Sequence, residues 1–297
     1  MEKQTLEPGI YFDLAEEVYF RDSSLSRSDL VKLLDSAGGY WKDSWMNTRR
    51  ESKQPNDEMS YGKAFHYLLF EPHKFKEKYA VVPIDEYPFG KEMIKYEKYF
   101  AIMESIAVLR QGRDSSMFLS NGIPEVTIVF DDGGLRYRVR IDYFTPVCST
   151  DFKTTRSLQD GHIKNEFHQR GYDIQMALYK RARVRFKEQW EAGEASVYGT
   201  VDAKLFERFL RSEMNEFLFI FQRTTKPYPF RPLMPEDDTE QSGITKIAKA
   251  SHIYMEHMRK YGTNEWPVSE GIVQPWSMFF GTREERDDSY IARDIQH

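Results

Sequence analysis

The sequence predicts an α/β fold in which a mixed sheet is flanked by helices. Over most of residues 125–154 apolar and polar residues alternate, which is the period of strands. Segments before and after this region have the spacing of amphipathic helices. Hydrophobic residues make up 40% of the chain and aromatic residues 15%, which is enough for one substantial core. We therefore expect a single domain over residues 1–297.

Helices are predicted in the first part of the chain. They cover residues 26–36, 60–71 and 91–109. The first begins at Ser26 or Ser28, whose hydroxyl would cap it. The second ends at Pro72, which cannot continue a helix. Polar segments are predicted to be loops at residues 47–60, 83–91 and 234–243.

Strands are predicted in the middle of the chain. They cover residues 125–130, 135–145 and 147–154, and the sequence DDGG at 131–134 is typical of a hairpin turn. The elements predicted after them are a long helix at about 163–191, a strand at 216–222 and a helix at 244–260. The charged end of the chain, GTREERDDSYIARDIQH, is expected to be peripheral.

Composition excludes several classes of protein. Cys148 is the only cysteine, so the chain has no internal disulfide and no thiolate-rich zinc or iron–sulfur site. The opening residues MEKQTLEPG lack the apolar core of a signal peptide, and uncharged apolar runs are too short to span a bilayer. We expect a cytoplasmic protein without a membrane partner. The net charge of −5 argues against a general polyanion binder.

Two carboxylates and a lysine are predicted to meet at the hairpin around Pro146. Strand alternation places Asp151 and Lys153 on one face, and antiparallel pairing would bring Asp142 near Asp151. Carboxylates this close repel unless a cation lies between them, and hard oxygen ligands suit Mg²⁺. Lys153 could orient or deprotonate water, or stabilise charge on a phosphate. The alternative is a structural Asp–Lys pair beside a turn.

The long helix carries a possible binding face. Gln175 and Tyr179 lie four residues apart and therefore on one side. Lys180, Arg183 and Lys187 form a basic stripe that could follow a phosphate backbone. The alternative is that Tyr179 belongs to the core and that the cations form a solvated face.

His66 follows Gly62 by about one helical turn, within GKAFHYLLF. A single histidine on a helix is usually structural. As a metal ligand, its imidazole would suit Mn²⁺ better than Mg²⁺.

In this order the motifs resemble the PD-(D/E)XK nuclease superfamily, in its RecB-like branch. They are Gly-x-x-x-His, a strand glutamate, Ile-Asp, Asp-x-Lys and Gln-x-x-x-Tyr. A closer resemblance is to the nuclease domains of the exonuclease VIII (RecE) family and its phage relatives. It is carried by LEPGIYFDLAEEVYF, LSRSDL, GKAFHYLLFEPHKFKEKYAVVP, the Glu125 strand, RVRIDYF, DFKTT, GYDIQMALY and NEWP. These stretches extend from the N-terminus to about residue 276.

The resemblance implies a restriction-endonuclease-like fold and a metal-dependent exonuclease. Such an enzyme degrades linear double-stranded DNA from a 5′ end and leaves a 3′ single strand for recombination. The implied cofactor is Mg²⁺, with Mn²⁺ as a second option. The implied metal ligands are His66, Asp142 and Asp151. Lys153 would be the catalytic lysine and Glu125 a supporting carboxylate.

The resemblance also implies an organisation and partners. Gln175 and Tyr179 would lie beside the DNA. The nuclease core would cover about residues 60–225, preceded by a helical part at 1–59 and followed by a helix and tail at 244–297. Implied partners are double-stranded DNA ends, further copies of the chain in a ring, and a single-strand annealing protein. The implied setting is a bacterial cell, with a phage among the sources.

The chain departs from the superfamily pattern in two ways. The usual Pro-Asp is Ile141-Asp142, which keeps the carboxylate, and one cysteine cannot build the iron–sulfur cluster of some relatives. Two other functions stay open: a structure-specific DNA endonuclease, and a DNA-binding protein on the same fold that does not cut. Lys153 beside Asp142 and Asp151 argues against the second, because binding alone does not need a lysine there.

Overall fold

The computed structural model describes residues 5–50, 57–82, 92–113 and 115–268. The strands in these ranges are β1 (Gly9–Tyr11), β2 (Tyr79–Val82), β3 (Glu92–Lys95), β4 (Ile123–Asp132), β5 (Leu135–Phe144), β6 (Cys148–Thr155), β7 (Ser196–Tyr198), β8 (Glu216–Arg223) and β9 (Phe230–Leu233). The helices are α1 (Glu16–Arg21), α2 (Arg27–Asp35), α3 (Ala37–Asp43), α4 (Asp57–Phe70), α5 (Pro72–Lys78), α6 (Tyr96–Gln111), α7 (Ser116–Leu119), α8 (Asp160–Arg170), α9 (Tyr172–Glu191), α10 (Ala203–Arg211) and α11 (Asp237–Tyr261).

The main sheet confirms the predicted mixed α/β fold and single domain. Its strand order is β7-β1-β4-β5-β6-β8-β9. Strands β4, β5 and β6 form the predicted antiparallel meander. β6 then pairs with β8 in parallel, because α8, α9 and α10 return the chain to the same end of the sheet. β2 and β3 form a separate two-stranded sheet.

Helices cover both faces of this sheet. Helices α2, α9 and α11 pack on one face over the apolar residues of β4 and β5, including the buried Val139 and Ile141. Helices α4 and α6 pack on the other face, where Phe152 of β6 joins Phe65 and Ile106 in a second core. The end of β5, a central strand, therefore lies between two packed layers of helices.

Ser26, one of the two serines predicted to cap the helix at 26–36, is the N-cap of α2. Its side chain accepts a hydrogen bond from the backbone of Asp29, and the Asp29 carboxylate accepts one from the backbone of Ser26. This reciprocal pair satisfies two amides at the start of α2.

The prediction of one helix at 163–191 is wrong. The chain breaks into α8 and α9 at Gly171, which has a φ of +62°. A side chain there would be strained, and its Cβ would lie 2.6 Å from Cγ2 of Val31. The glycine thus turns the chain so that α9 alone lies along the sheet.

Three further boundaries differ from the sequence prediction. Residues 57–60 of the predicted loop at 47–60 are the first turn of α4. The predicted helix at 91–109 begins with strand β3, and α6 starts only at Tyr96. The predicted loop at 234–243 contains the first turns of α11, which starts at Asp237. The predicted loop at 83–91, residues 51–56 of the loop at 47–60, and the charged tail lie outside the described residues. Across the described ranges, no helix has the length and apolar character needed to cross a membrane.

Candidate metal centre

The candidate site lies where β5 and β6 separate. Their ladder pairs Phe144 with Ser149 and Tyr143 with Thr150, so Asp142 and Asp151 come next. Beyond that point β6 keeps its pairing with β8. The backbone groups of Phe152 that point toward β5 then need other partners. Acidic side chains can approach the exposed backbone in this opening.

Two side chains of the site supply those partners. The Phe152 amide donates to Oδ2 of Asp142 at 2.8 Å. Nε2 of His66, on α4, lies 3.0 Å from the Phe152 carbonyl oxygen. A carbonyl can only accept, so Nε2 carries the proton and donates. The other ring nitrogen, Nδ1, is left facing the carboxylates.

Glu125 completes the group from β4. The pairs on either side of it place it opposite Asp142. Its φ is +54°, an uncommon conformation for a residue with a side chain. Backbone strain of this kind costs free energy and concentrates at functional sites. Here it accompanies a carboxylate aimed at His66 and Asp142.

Together these residues form a compact set of metal-ligand types. One ligand atom from each of His66, Glu125 and Asp142 lies within 4.8 Å of the others. Nδ1 of His66 lies 3.6 Å from Asp142 and 3.8 Å from Glu125. These three residues are the one such group of histidine, cysteine and acidic residues in the part of the chain that the structure describes.

Electrostatics favour a positive charge at this point. Burial alone would lower the pKa of His66, but the charges of Asp142 and Glu125 raise it to about 9. Burial raises the pKa of Asp142 above its ordinary value. Burial, together with the charge of Asp142, raises the pKa of Asp151 to about 6. Without a metal, a proton on His66 neutralises part of this acidic cluster.

Asp151 lies beside the group and has different contacts. Its Oδ1 accepts a hydrogen bond from Nε2 of Gln175, and its Oδ2 lies 2.5 Å from Nζ of Lys153. Burial alone would lower the pKa of Lys153, but the charge of Asp151 raises it. Lys153 is therefore a cation at neutral pH.

These residues fit a divalent cation. Two carboxylates and an imidazole with its free nitrogen toward them are a common donor set, and the carboxylate of Asp151 lies near enough for the charge of Asp142 to raise its pKa. The carboxylates favour Mg²⁺, whereas His66 extends the fit to Mn²⁺. The family resemblance implies Asp151 as a ligand and Glu125 as a supporting carboxylate. The structure instead brings Glu125 into the three-residue group and pairs Asp151 with Lys153.

The family model described as "PDDEXK-like domain of unknown function (DUF3799)" matches residues 26–192, which is more than half of the chain. The chain belongs to this PDDEXK-like family. The predicted PD-(D/E)XK superfamily is thereby confirmed, and the narrower resemblance to the exonuclease VIII family stays a prediction. All the site residues named above lie inside the matched range.

A solved structure is similar to this PDDEXK-like protein. It is the crystal structure of a protein from Eubacterium rectale described as a "Putative exonuclease". The two have a TM-score of 0.59 and 14% sequence identity, and the match covers 90% of this chain and 97% of that one. At this identity the likeness shows a shared fold. A comparison with curated protein sequences finds no match.

The predicted DNA-binding face of the PDDEXK-like chain is largely covered. Arg183 is 1% exposed and donates hydrogen bonds to the carbonyls of Thr145 and Pro146, at 3.0 and 2.7 Å. Its predicted contact with DNA is wrong, because a buried guanidinium cannot reach a phosphate. Lys180 pairs with Glu240. These contacts attach α9 to the β5–β6 turn and to α11.

The other predicted DNA contacts also have partners within the protein. Lys187 donates to the carbonyl of Ser212 at 2.6 Å. Gln175 and Tyr179 are buried, and the hydroxyl of Tyr179 donates to the carbonyl of Arg140 at 2.7 Å. Gln175 donates to Tyr179 as well as to Asp151. The pair thus positions Asp151 against β5 instead of presenting donors to a duplex.

Arg140 supports Glu125 from the same strand as Asp142. It donates to the hydroxyl of Thr127 at 3.1 Å and to the carbonyl of Leu14 at 2.8 Å. Its Nε lies 4.0 Å from Glu125. The alternation of β5 places Arg140 on the face of Asp142, and that pattern was the one sequence signal for its role.

Glu16 joins α1 to the wall of the site. It accepts hydrogen bonds from Lys78 at 2.7 Å and from the hydroxyl of Tyr67 at 2.6 Å. Burial alone would raise the pKa of Glu16, but those hydrogen bonds, with a further one from Lys63, lower it to about 2. This value is below the ordinary 4.5. The Glu16 interactions therefore stabilise the folded state above about pH 4.5, and this stabilisation is lost as the pH falls toward 2.

A pH series of urea unfolding tests this contribution. The difference in free energy of unfolding between the wild type and Glu16→Gln should be largest at neutral pH and should shrink as the pH falls from about 5 to 2. The exposed Glu194 gives a matched Glu194→Gln control. A Glu16→Gln difference that stays constant over that range would contradict the assignment.

Proposed function

We propose that this protein is a metal-dependent exonuclease that hydrolyses phosphodiester bonds of linear double-stranded DNA. The observation that carries the proposal is the ion pair of Asp151 and Lys153 directly beside the group of His66, Glu125 and Asp142. A nuclease of this family needs a cation held by carboxylates and a second positive group near the scissile phosphate. Both features come from strand ends at one opening of the sheet.

The residues of the site have two different roles, metal binding and stabilisation of charge on the phosphate. Asp142 and Glu125 would hold the cation, Mg²⁺ or Mn²⁺, with Nδ1 of His66 as a third ligand. Bound there, the cation would supply Lewis-acid polarisation of a phosphoryl oxygen. Lys153 is held beside Asp151 and over the ring of Tyr172, with its nitrogen 5.0 Å from the ring centre. As a cation it would stabilise the negative charge that develops on the phosphate.

The finer parts of the proposal come from the family resemblance. They are digestion from a 5′ end, a 3′ single strand as product for recombination, a ring of subunits, and delivery of the product to a single-strand annealing protein. The similar fold of the Eubacterium rectale protein described as a "Putative exonuclease" supports the exonuclease mode. Light scattering with and without DNA measures the subunit number, and duplexes labelled at either 5′ or 3′ ends measure the polarity.

A digest of linear against covalently closed circular duplex DNA tests the main proposal. With Mg²⁺, the linear form should be consumed and the closed circle should stay intact, and a chelator should stop the reaction. Cleavage of both forms would mean an endonuclease. Survival of both forms with Mg²⁺ or Mn²⁺ would overturn the nuclease proposal and leave a DNA-binding protein.

A further inference from the structure

Two clefts meet at the candidate metal centre. The α1 cleft, of about 1200 Å³, extends from the site along α1 and the start of α2. The α8 cleft, of about 870 Å³, extends the other way between α4 and α8, past the end of β6. Arg27, Gly62 and His66 line both clefts, so the site lies at their junction.

The two clefts differ in charge. Among the described residues, nine carboxylates and eight Lys or Arg side chains line the α1 cleft. In the same part of the chain, the α8 cleft is lined by one carboxylate, that of Glu166, and by five cations, which are Arg27, Lys98, Lys153, Arg156 and Arg170. A polyanion is attracted to a groove that has low-dielectric walls and is lined mainly by positive charges. The α8 cleft meets that condition, and the α1 cleft does not.

Ion pairs within the α1 cleft neutralise many of its cations. Lys63 and Lys78 both pair with Glu16, at 3.1 and 2.7 Å. Arg138 pairs with Asp22 and Asp29 at 3.7 and 3.6 Å. A phosphate in this cleft would compete with carboxylates that are already in place.

Two cations of the α8 cleft are exposed to solvent. Arg156 is exposed just after β6, and Arg170 is exposed at the end of α8, where it lies 3.8 Å from Glu166. Lys98 reaches the cleft from α6. Lys153 pairs with Asp151. Counted together with that carboxylate, the described lining still has five cations against two carboxylates. The amides of Asn165 and Gln169 add hydrogen-bond donors.

We infer that the α8 cleft is the path by which a DNA strand reaches the metal centre, with Lys98, Arg156 and Arg170 contacting its phosphates. This inference rests on the proposed function and names the surface that binds the substrate. These cations come from α6, from the loop after β6 and from the end of α8, and they replace the predicted stripe on α9. The route ends beside Lys153, where the scissile phosphate would lie.

Salt-dependent binding of a short blunt-ended duplex tests the path. It is measured by fluorescence anisotropy with chelator, so that no cleavage occurs. Each phosphate contact contributes about 0.9 to the slope of log Kobs against log salt concentration. The triple variant Lys98→Ala/Arg156→Ala/Arg170→Ala should flatten that slope by up to about 2.7 between about 50 and 200 mM salt. Arg156→Ala alone, at an exposed position, should flatten it by up to about 0.9.

A matched control removes the same charge elsewhere. Lys204, Arg208 and Lys249 are exposed on α10 and α11, away from both clefts, and their triple alanine variant should keep the wild-type slope. Equal slopes for the wild type and the α8-cleft variants would overturn the path, as would wild-type protein that binds no DNA. Binding that depends on the α8 cleft, without cleavage of any DNA, would support the path and overturn the nuclease proposal. Cleavage with an unchanged slope would support the nuclease proposal and overturn the path.

Discussion

Asp142→Asn is expected to reduce cleavage of linear duplex DNA by more than about 100-fold. Mutation of residues that only hydrogen-bond to a metal ligand already lowers metal affinity or activity by about 10- to 100-fold. The asparagine keeps the shape and can still accept the hydrogen bond that the Phe152 amide donates to Asp142. It removes one of the two carboxylates of the three-residue group. Steady-state digestion of labelled linear DNA in Mg²⁺ and in Mn²⁺ measures the loss.

Thermal unfolding separates this loss from a folding defect. Because burial raises the pKa of Asp142, its charged form is unfavourable without a metal, so the metal-free variant should unfold at the same temperature as the wild type or above it. The rise in Tm that Mn²⁺ causes in the wild type should disappear. Asp238→Asn, at an exposed position on α11, should keep both activity and the Mn²⁺ effect. An active Asp142→Asn protein would show that the metal centre is wrongly placed.

Lys153→Met is expected to lower the cleavage rate by about 10²-fold or more while metal binding persists, the scale seen when a positioned charge-stabilising group is lost. Methionine keeps much of the length of the side chain and removes the charge next to Asp151. Removing a cation from an acidic site should leave Mn²⁺ affinity equal or tighter. Calorimetric titration with Mn²⁺ and single-turnover cleavage measure the two effects on one protein sample.

Lys153→Arg is the matched variant for this test. It keeps the positive charge, so it should retain more activity than Lys153→Met if the lysine acts as a cation. Equal loss in both variants would indicate that a proton transfer specific to lysine is needed. If Mn²⁺ binding disappears together with activity in Lys153→Met, then Lys153 supports the metal centre and has no separate role.

The alternation of residues in the hairpin predicts that Asp142 lies near Asp151, and both come directly after the last paired residues of β5 and β6. This was possible because a hairpin is local: alternation assigns faces, the turn at Pro146 sets the register, and both carboxylates lie within ten residues of each other. The same reasoning correctly predicted that Val139 and Ile141 are buried. The break at Gly171 also had a local signal, but apolar spacing on both sides of the glycine favoured one continuous helix.

Which groups surround those carboxylates depends on contacts between segments that are distant in the sequence. Glu125 joins His66 because β4 lies beside β5, and Gln175 reaches Asp151 from α9. The cations on α9 look like a binding stripe in the sequence, yet Arg183 lies under the β5–β6 turn and Lys180 pairs with α11. Helical spacing predicts which residues share a face of the helix. Whether that face is exposed depends on distant segments of the chain, because these pack where they bury the most apolar surface.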